Sequence, residues 1–307
     1  MAVATGTVAA DVENIGDGDL LRAMHYTIKE FCDADNATTA IGNLSENLDK
    51  HVEQASAKMS SFRDIVSESD FDIAFQPIID LATGKIVHFE ALARFGGGSD
   101  RSPYELITFA ENTGLIWDFD YAMGQKLLDW LSQANKLGQR YRFALNLSGK
   151  SVSNPAFLKE LQTLLARNEE VRDQLIIEIT EAARIKDLKQ TNAFIQVLRG
   201  AGHLVCLDDF GAGAAALRYL HDLDVDIVKI DGQYIQGALR GGKNKAFLKA
   251  IAGLCSELGV ETVAEMVENE KTVAIVKECG IGFAQGYYFG RPSIEIGVFD
   301  KFNPKPR

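Results

Sequence analysis

The chain has 307 residues, of which 46% are hydrophobic and 24% charged, and a formal net charge of -11. Such proportions belong to an ordinary globular protein with room for one large domain plus an extension, or for two of medium size. The acidic balance, with no long basic cluster against it, speaks against polymeric nucleic acid as a partner, because that binding needs many Lys and Arg contacts to phosphates.

The opening "MAVATGTVAADVEN" has neither the basic head nor the apolar core of a signal peptide. No later run is apolar for long enough to cross a bilayer. No direct membrane insertion is expected, and the expected compartment is the cytoplasm. Cys32, Cys206, Cys255 and Cys279 are scattered without C-x-x-C spacing, so neither a disulfide framework nor a zinc cluster is expected.

In chain order, Leu21, Met24, Ile28 and Phe31 fall at helical spacing. Leu48, Val52, Ala55, Met59, Phe62 and Val66 then alternate gaps of four and three, which is a heptad stripe. Two readings stay open for it: a helix docked on its own domain through that face, or a coiled-coil lead-in that pairs two chains. From Phe71 the texture changes. "DIAFQPIID" and "KIVHFEALARF" are strand-like runs joined by a turn signal, "LATG". "RFALNLS", "LIIEIT", "LVCLDD", "DIVKID", "ETVAEMV" and "GFAQGYYF" continue the series, most of them separated by amphipathic segments of helix length. This alternation predicts a largely parallel sheet, and the spacing suits a closed (β/α)8 barrel. A doubly wound open sheet is the alternative, but no Gly-rich dinucleotide fingerprint follows the early strands. The expected domains are a helical extension over 1–66, a candidate signalling or dimerisation helix, and a barrel over 67–300.

Polar residues close these runs in register: Glu90, Asn146, Glu178, Asp208 with Asp209, Lys229, Glu265 and Gln285. In a (β/α)8 barrel the C-terminal strand ends converge on one face. Any one of these acids alone could be an ordinary cap at a strand-to-helix turn. Five together repel one another, and one lysine offsets little of that. A bound metal is the economical answer. The donors are all oxygens, while His88 and His203 lie inside apolar runs and read as core, so hard cations such as Mg²⁺, Mn²⁺ or Ca²⁺ are indicated. Two adjacent aspartates suit a pair of ions about 3.5–4 Å apart.

These residues also carry a family resemblance. "EALAR" at 90–94 resembles the signature of EAL domains, bacterial phosphodiesterases of cyclic di-GMP. The likeness extends in order through "FQPIID", "SPYELITFAENTGLI", "NLSG", "IIEITE", "LDDFGAG", "VKIDG", "TVAEMVE" and "QGYYFGRP". It implies a (β/α)8 barrel with one antiparallel strand and hydrolysis of cyclic di-GMP to linear pGpG. On the matching positions, Glu90, Asn146, Glu178, Asp208, Asp209 and Glu265 resemble the metal ligands, and Lys229 the lysine beside the attacking water. Gln285 resembles the glutamine that completes the site, Glu268 a further site acid, and Glu181 the glutamate that steadies the loop after "DDFG". Gln76 and Arg94 resemble substrate contacts, with Arg94 reaching a phosphate. Tyr287 and Phe289 are candidates to stack on a guanine or to be core. Two Mg²⁺ or Mn²⁺ ions are expected, with Ca²⁺, larger and looser in geometry, binding but inhibiting. Cyclic di-GMP is the partner the resemblance implies, and the heptad stripe makes a homodimer the expected assembly. Two departures stand out: "DDFGAGAAAL" where the family commonly has "DDFGTGYSSL", and Met266 where glycine is usual.

Two other functions are weighed beside the phosphodiesterase. One is a receptor that binds cyclic di-GMP without cutting it. The other is a barrel enzyme using Lys229 as a Schiff base, which would require a lowered lysine pKa where neighbouring acids should raise it.

Overall fold

In a computed structural model of the chain, the described residues are 16–33, 37–96, 102–180, 187–211 and 216–302. Eight strands close into a barrel in sequence order. They are β1 (Phe71–Asp80), β2 (Ile86–Phe95), β3 (Phe143–Leu147), β4 (Leu175–Thr180), β5 (Leu204–Phe210), β6 (Ile227–Ile230), β7 (Glu261–Ala264) and β8 (Phe283–Ala284). β1 runs antiparallel to β8, whereas the pairs from β2–β3 through to β7–β8 are parallel. A tight turn at Gly84, with φ of 71°, links β1 to β2. The expected barrel with one antiparallel strand is what the chain forms.

The helices are α1 (Asp17–Asp33), α2 (Ala37–Ser67), α3 (Pro103–Thr113), α4 (Ile116–Lys136), α5 (Gly149–Val152), α6 (Pro155–Ala166), α7 (Leu188–Gly200), α8 (Ala216–Asp222), α9 (Gly232–Ala238), α10 (Gly242–Glu257) and α11 (Glu270–Glu278). Several begin on a short polar side chain that takes an orphan N–H of the first turn. Asn154 caps α6, Asp187 α7, Asp231 α9 and Asn269 α11. Local sequence therefore marks where these four helices start.

Side chains alternate across a strand, so residues two apart share a face. Ile78, Ala144, Ile176, Cys206, Ile227 and Val263 form one buried apolar cluster. Asn146, Glu178, Asp208, Lys229 and Glu265 stand two residues beyond five of them. The polar layer thus sits on the apolar one through strand periodicity alone. Cys206, Cys255 and Cys279 are buried free thiols.

The chain divides into two compact units, Met1–Phe71 with Phe95–Phe119, and Asp72–Arg94 with Asp120–Arg307. Within the first, α2 buries Leu48, Val52, Ala55, Met59 and Phe62, and it packs chiefly against α1 and also α3. Phe62 meets Phe119 and Phe95, and Tyr26 stands edge-on to Phe109. Arg63 forks onto both carboxylate oxygens of Asp19 at 2.6 and 2.7 Å. Of the two readings of the heptad stripe, the structure supports the helix covered by its own chain. α1 turns a different face inward from the one its spacing suggests. Leu21 and Ile28 are exposed, while Ala23, Tyr26 and Thr27 are buried. Tyr26 reaches Phe109 and Glu30 together, and the small Ala23 permits close approach. β8 is also shorter than the run "GFAQGYYF" suggests, because the chain turns at Gly286, where a Cβ would lie 2.1 Å from the Val267 carbonyl oxygen.

Candidate active site

Glu90 on β2, Asn146 on β3, Glu178 on β4, Asp208 on β5 and Lys229 on β6 converge with Glu265 and Gln285, which follow β7 and β8 directly. The ammonium of Lys229 is buried and lies 2.6 Å from Glu178, 3.0 Å from Asp208, 3.1 Å from Glu265 and 3.2 Å from Glu90. Asn146 donates to Glu90 at 2.7 Å. Gln285 donates to Glu90 at 2.6 Å and to Gln76 at 3.0 Å, and Gln76 in turn donates to the Gly290 carbonyl at 3.1 Å. These bonds fix the acids from several strands in one cluster.

Adjacent strand residues normally point to opposite faces, so the side-by-side aspartates need an explanation. The β5–β6 register slips between Leu207 and Phe210, and Asp209 has φ of 54°. This bulge, in a left-handed conformation that aspartate tolerates better than most residues, lets both carboxylates join the cluster. Asp208 is buried and Asp209 partly so.

The electrostatics show a site short of cations. Burial opposes the charge of Lys229, yet Asp208, Glu178, Glu265 and Glu90 hold its pKa well above the usual lysine value. Burial also opposes the charge of Glu90, but Lys229 and the amides of Gln285 and Asn146 outweigh it, and its pKa falls below the usual value. Three other acids go the opposite way. Burial, reinforced by neighbouring carboxylates, raises Glu178 well above the usual range, Glu265 to about 8 and Asp209 to about 6. Without further positive charge, protons are drawn onto these acids.

Two groups of acids have the spacing for a cation: Glu90 with Glu178 and Asp208, and Asp208 with Asp209 and Glu265, with ligand oxygens within 4.8 Å of one another in each. Asp208 belongs to both. Asn146 Oδ1, Glu178 Oε2 and Gln285 Oε1 are buried without a hydrogen-bond partner. Buried acceptors left orphaned at an all-oxygen site suit a hard cation.

Beside the cluster lies a cavity of about 380 Å³ lined by Gln76, Glu90, Leu92, Glu265, Met266, Glu268, Gln285, Gly286 and Tyr287. The profile of the EAL domain matches residues 59–292. The chain belongs to the EAL domain family. It is 33% identical over 247 residues to the cyclic di-GMP phosphodiesterase PdeB of Shewanella oneidensis, covering 78% of this chain and 28% of that protein. It is 30% identical over 259 residues to the cyclic di-GMP phosphodiesterase PdeF of Escherichia coli, covering 84% of this chain and 34% of that protein. The chain thus spans about a third of the length of these curated relatives. Among solved structures, an EAL domain protein from Listeria monocytogenes superposes with a TM-score of 0.69 at 26% identity, covering 78% of this chain and 95% of that one.

In this EAL domain, Glu90, Asn146, Glu178, Asp208, Asp209, Lys229, Glu265, Gln76 and Gln285 fall together as the sequence suggests. Glu268 is exposed on the cavity and Tyr287 is half-exposed there, with the Arg291 guanidinium 4.0 Å from its ring centre. Phe289 is buried and belongs to the core. Arg94 is partly buried at the end of β2, donates to the Ala93 carbonyl at 2.8 Å and is not among the cavity's lining residues. Glu181 and the loop residues Ala212, Ala214 and Ala215 lie outside the described residues. His88 and His203 are buried, as expected of core histidines. The four carboxylates around Lys229 favour its charged form, which speaks against the Schiff-base reading. Sequence reasoning missed Leu92 as a lining residue. It also missed Asp120, which is buried and accepts the Ser148 N–H at 2.9 Å just beyond Asn146. An acid on a helix otherwise rich in inward apolar residues was the available signal for Asp120.

Proposed function

We propose that this domain hydrolyses one phosphodiester bond of cyclic di-GMP, giving linear pGpG, with divalent cations held by Glu90, Asn146, Glu178, Asp208, Asp209 and Glu265. The observation that carries this reading is the pair of carboxylate groups sharing Asp208, set beside a cavity of about 380 Å³. The names of the relatives support the substrate. Bound Mg²⁺ or Mn²⁺ supplies Lewis-acid neutralisation at the phosphodiester and makes a water acidic enough to attack it.

The chain's own residues do the rest. Lys229 stays protonated and offers a fixed positive charge at the centre of the acids. Gln285 and Asn146 hold the Glu90 carboxylate in one orientation, and Gln76 holds Gln285. Glu268 and Tyr287 face the space a guanine would enter, and Arg94 is the candidate for a phosphate contact. Glu181 is assigned to the loop after Asp209 by resemblance. If the protein forms a homodimer, a face other than the heptad stripe must carry it, since Leu48 to Phe62 are covered within the chain. Among the described residues no helix is long and apolar enough to cross a membrane.

The test is purified protein incubated with cyclic di-GMP and Mg²⁺ or Mn²⁺, with products separated. Linear pGpG that disappears on adding a chelator is the expected result. Ca²⁺, larger and looser in geometry, is expected to compete with Mg²⁺ and support little turnover. Tight binding of cyclic di-GMP without product in either metal would move the reading to a receptor.

A further inference from the structure

Met266 follows Glu265 directly and has φ of 51°. A long side chain in the left-handed region is uncommon and disfavoured. The surroundings impose it from both sides. Glu265 N–H donates to the Ile230 carbonyl at 3.2 Å, Val267 N–H to the Gln285 carbonyl at 3.0 Å, and the Gln236 amide to the Met266 carbonyl at 3.3 Å. The thioether packs on the start of α9, where a Cβ in place of Gly232 would lie 2.2 Å from Met266 Sδ. Core burial does not account for this arrangement, because Met266 is 54% exposed. Its exposed part lines the cavity, together with Leu92, Tyr287 and the Glu268 carboxylate.

We infer that Met266 is a ligand-contacting residue that helps set base specificity, the exposed part of its side chain packing against a guanine that enters this cavity. The inference rests on the function proposed above and names the part of that site which meets the base. A flexible, polarisable sulfur side chain makes favourable contacts with aromatic rings and adapts to irregular space. Leu92, Met266 and Tyr287 give apolar walls, and Glu268 gives an acceptor. A planar heterocycle with N–H donors on one edge suits that combination, and guanine offers such donors at N1 and its exocyclic amine. Backbone strain of this kind clusters at ligand sites, where the surrounding structure holds it in place.

The experiment compares wild type with Met266→Gly and Met266→Leu. Affinity for cyclic di-GMP is measured by calorimetry with Ca²⁺ in place of Mg²⁺, KM and kcat with Mg²⁺, and thermal melting without ligand. Glycine accepts the observed φ, so Met266→Gly should melt no lower than wild type. Its Kd for cyclic di-GMP should weaken about tenfold, as expected for losing a half-buried apolar contact, and KM should change more than kcat. Met266→Leu, which keeps apolar bulk, should lie between the two. A Met266→Gly variant that melts higher and binds cyclic di-GMP as tightly as wild type would overturn the inference while leaving the phosphodiesterase reading intact. Wild-type protein that neither binds nor cleaves cyclic di-GMP would overturn both.

Discussion

Asp208 is the acid on which both carboxylate groups depend, and Lys229 stands 3.0 Å from it. Asp208→Asn keeps the volume and removes the charge, so turnover should fall by orders of magnitude. The melting temperature in chelator should not fall, because one of several clustered like charges is relieved. Near-normal turnover would refute the shared-ligand assignment. The strand-end acids were legible because a carboxylate closing an apolar run is conspicuous, and period-two alternation then puts each on one face. The bulge at Asp209 was legible only as a question, since two adjacent acids must break that alternation somehow. The close packing at Gly232, the partner of Asp120 and the strain at Met266 could not be read from the sequence. Each is defined by a neighbour distant in sequence: the Met266 thioether, the Ser148 amide and the Gln285 carbonyl.

At the scale of elements, the heptad stripe of α2 shows how far periodicity reaches. It identified a helix with one apolar face but not what covers that face, because an intramolecular partner and a second chain leave the same pattern. Met59 is 1% exposed, so Met59→Ala should cost about 2–5 kcal/mol and lower the melting temperature. The molar mass in light scattering should not change. A halved mass at unchanged stability would instead show that the stripe joins two chains. β8 went the other way: its aromatic run read as a longer strand, yet only Phe283 and Ala284 pair. The close approach of Gly286 to Val267 ends the strand and leaves Gln285 aimed at Glu90. Gly286→Ala should therefore weaken metal activation as well as stability, whereas a purely structural glycine would affect stability alone.

For the whole molecule, the acids that hold protons in the absence of cations tie stability to pH. Glu265 is raised to about 8 and Asp209 to about 6. A carboxyl with a raised folded-state pKa binds its proton more tightly folded than unfolded, so its contribution is lost as the pH rises. In chelator, the melting temperature should fall as the pH rises through about 8. Saturating Mg²⁺ should flatten that fall, since cations displace the same protons. The Mg²⁺ concentration for half-maximal activity should drop over the same range, and activation independent of pH would contradict the assignment. The barrel itself was legible from eight alternating runs, but the reach of the other unit was not, because 95–119 reads as part of the barrel and clusters with α1 and α2 instead. Cutting the chain at 66 should thus strip Phe109 of Tyr26 and Phe119 of Phe62, and the remainder should aggregate or melt lower. The covalent path crosses between the two units near 71, 94 and 119, so no single cut of the chain separates them. Recombination that exchanges the leading helices for another segment at a single junction would leave the 95–119 segment facing a stranger. Descent by such shuffling would have to carry that inserted segment along, or rebuild its aromatic contacts afresh with each new partner.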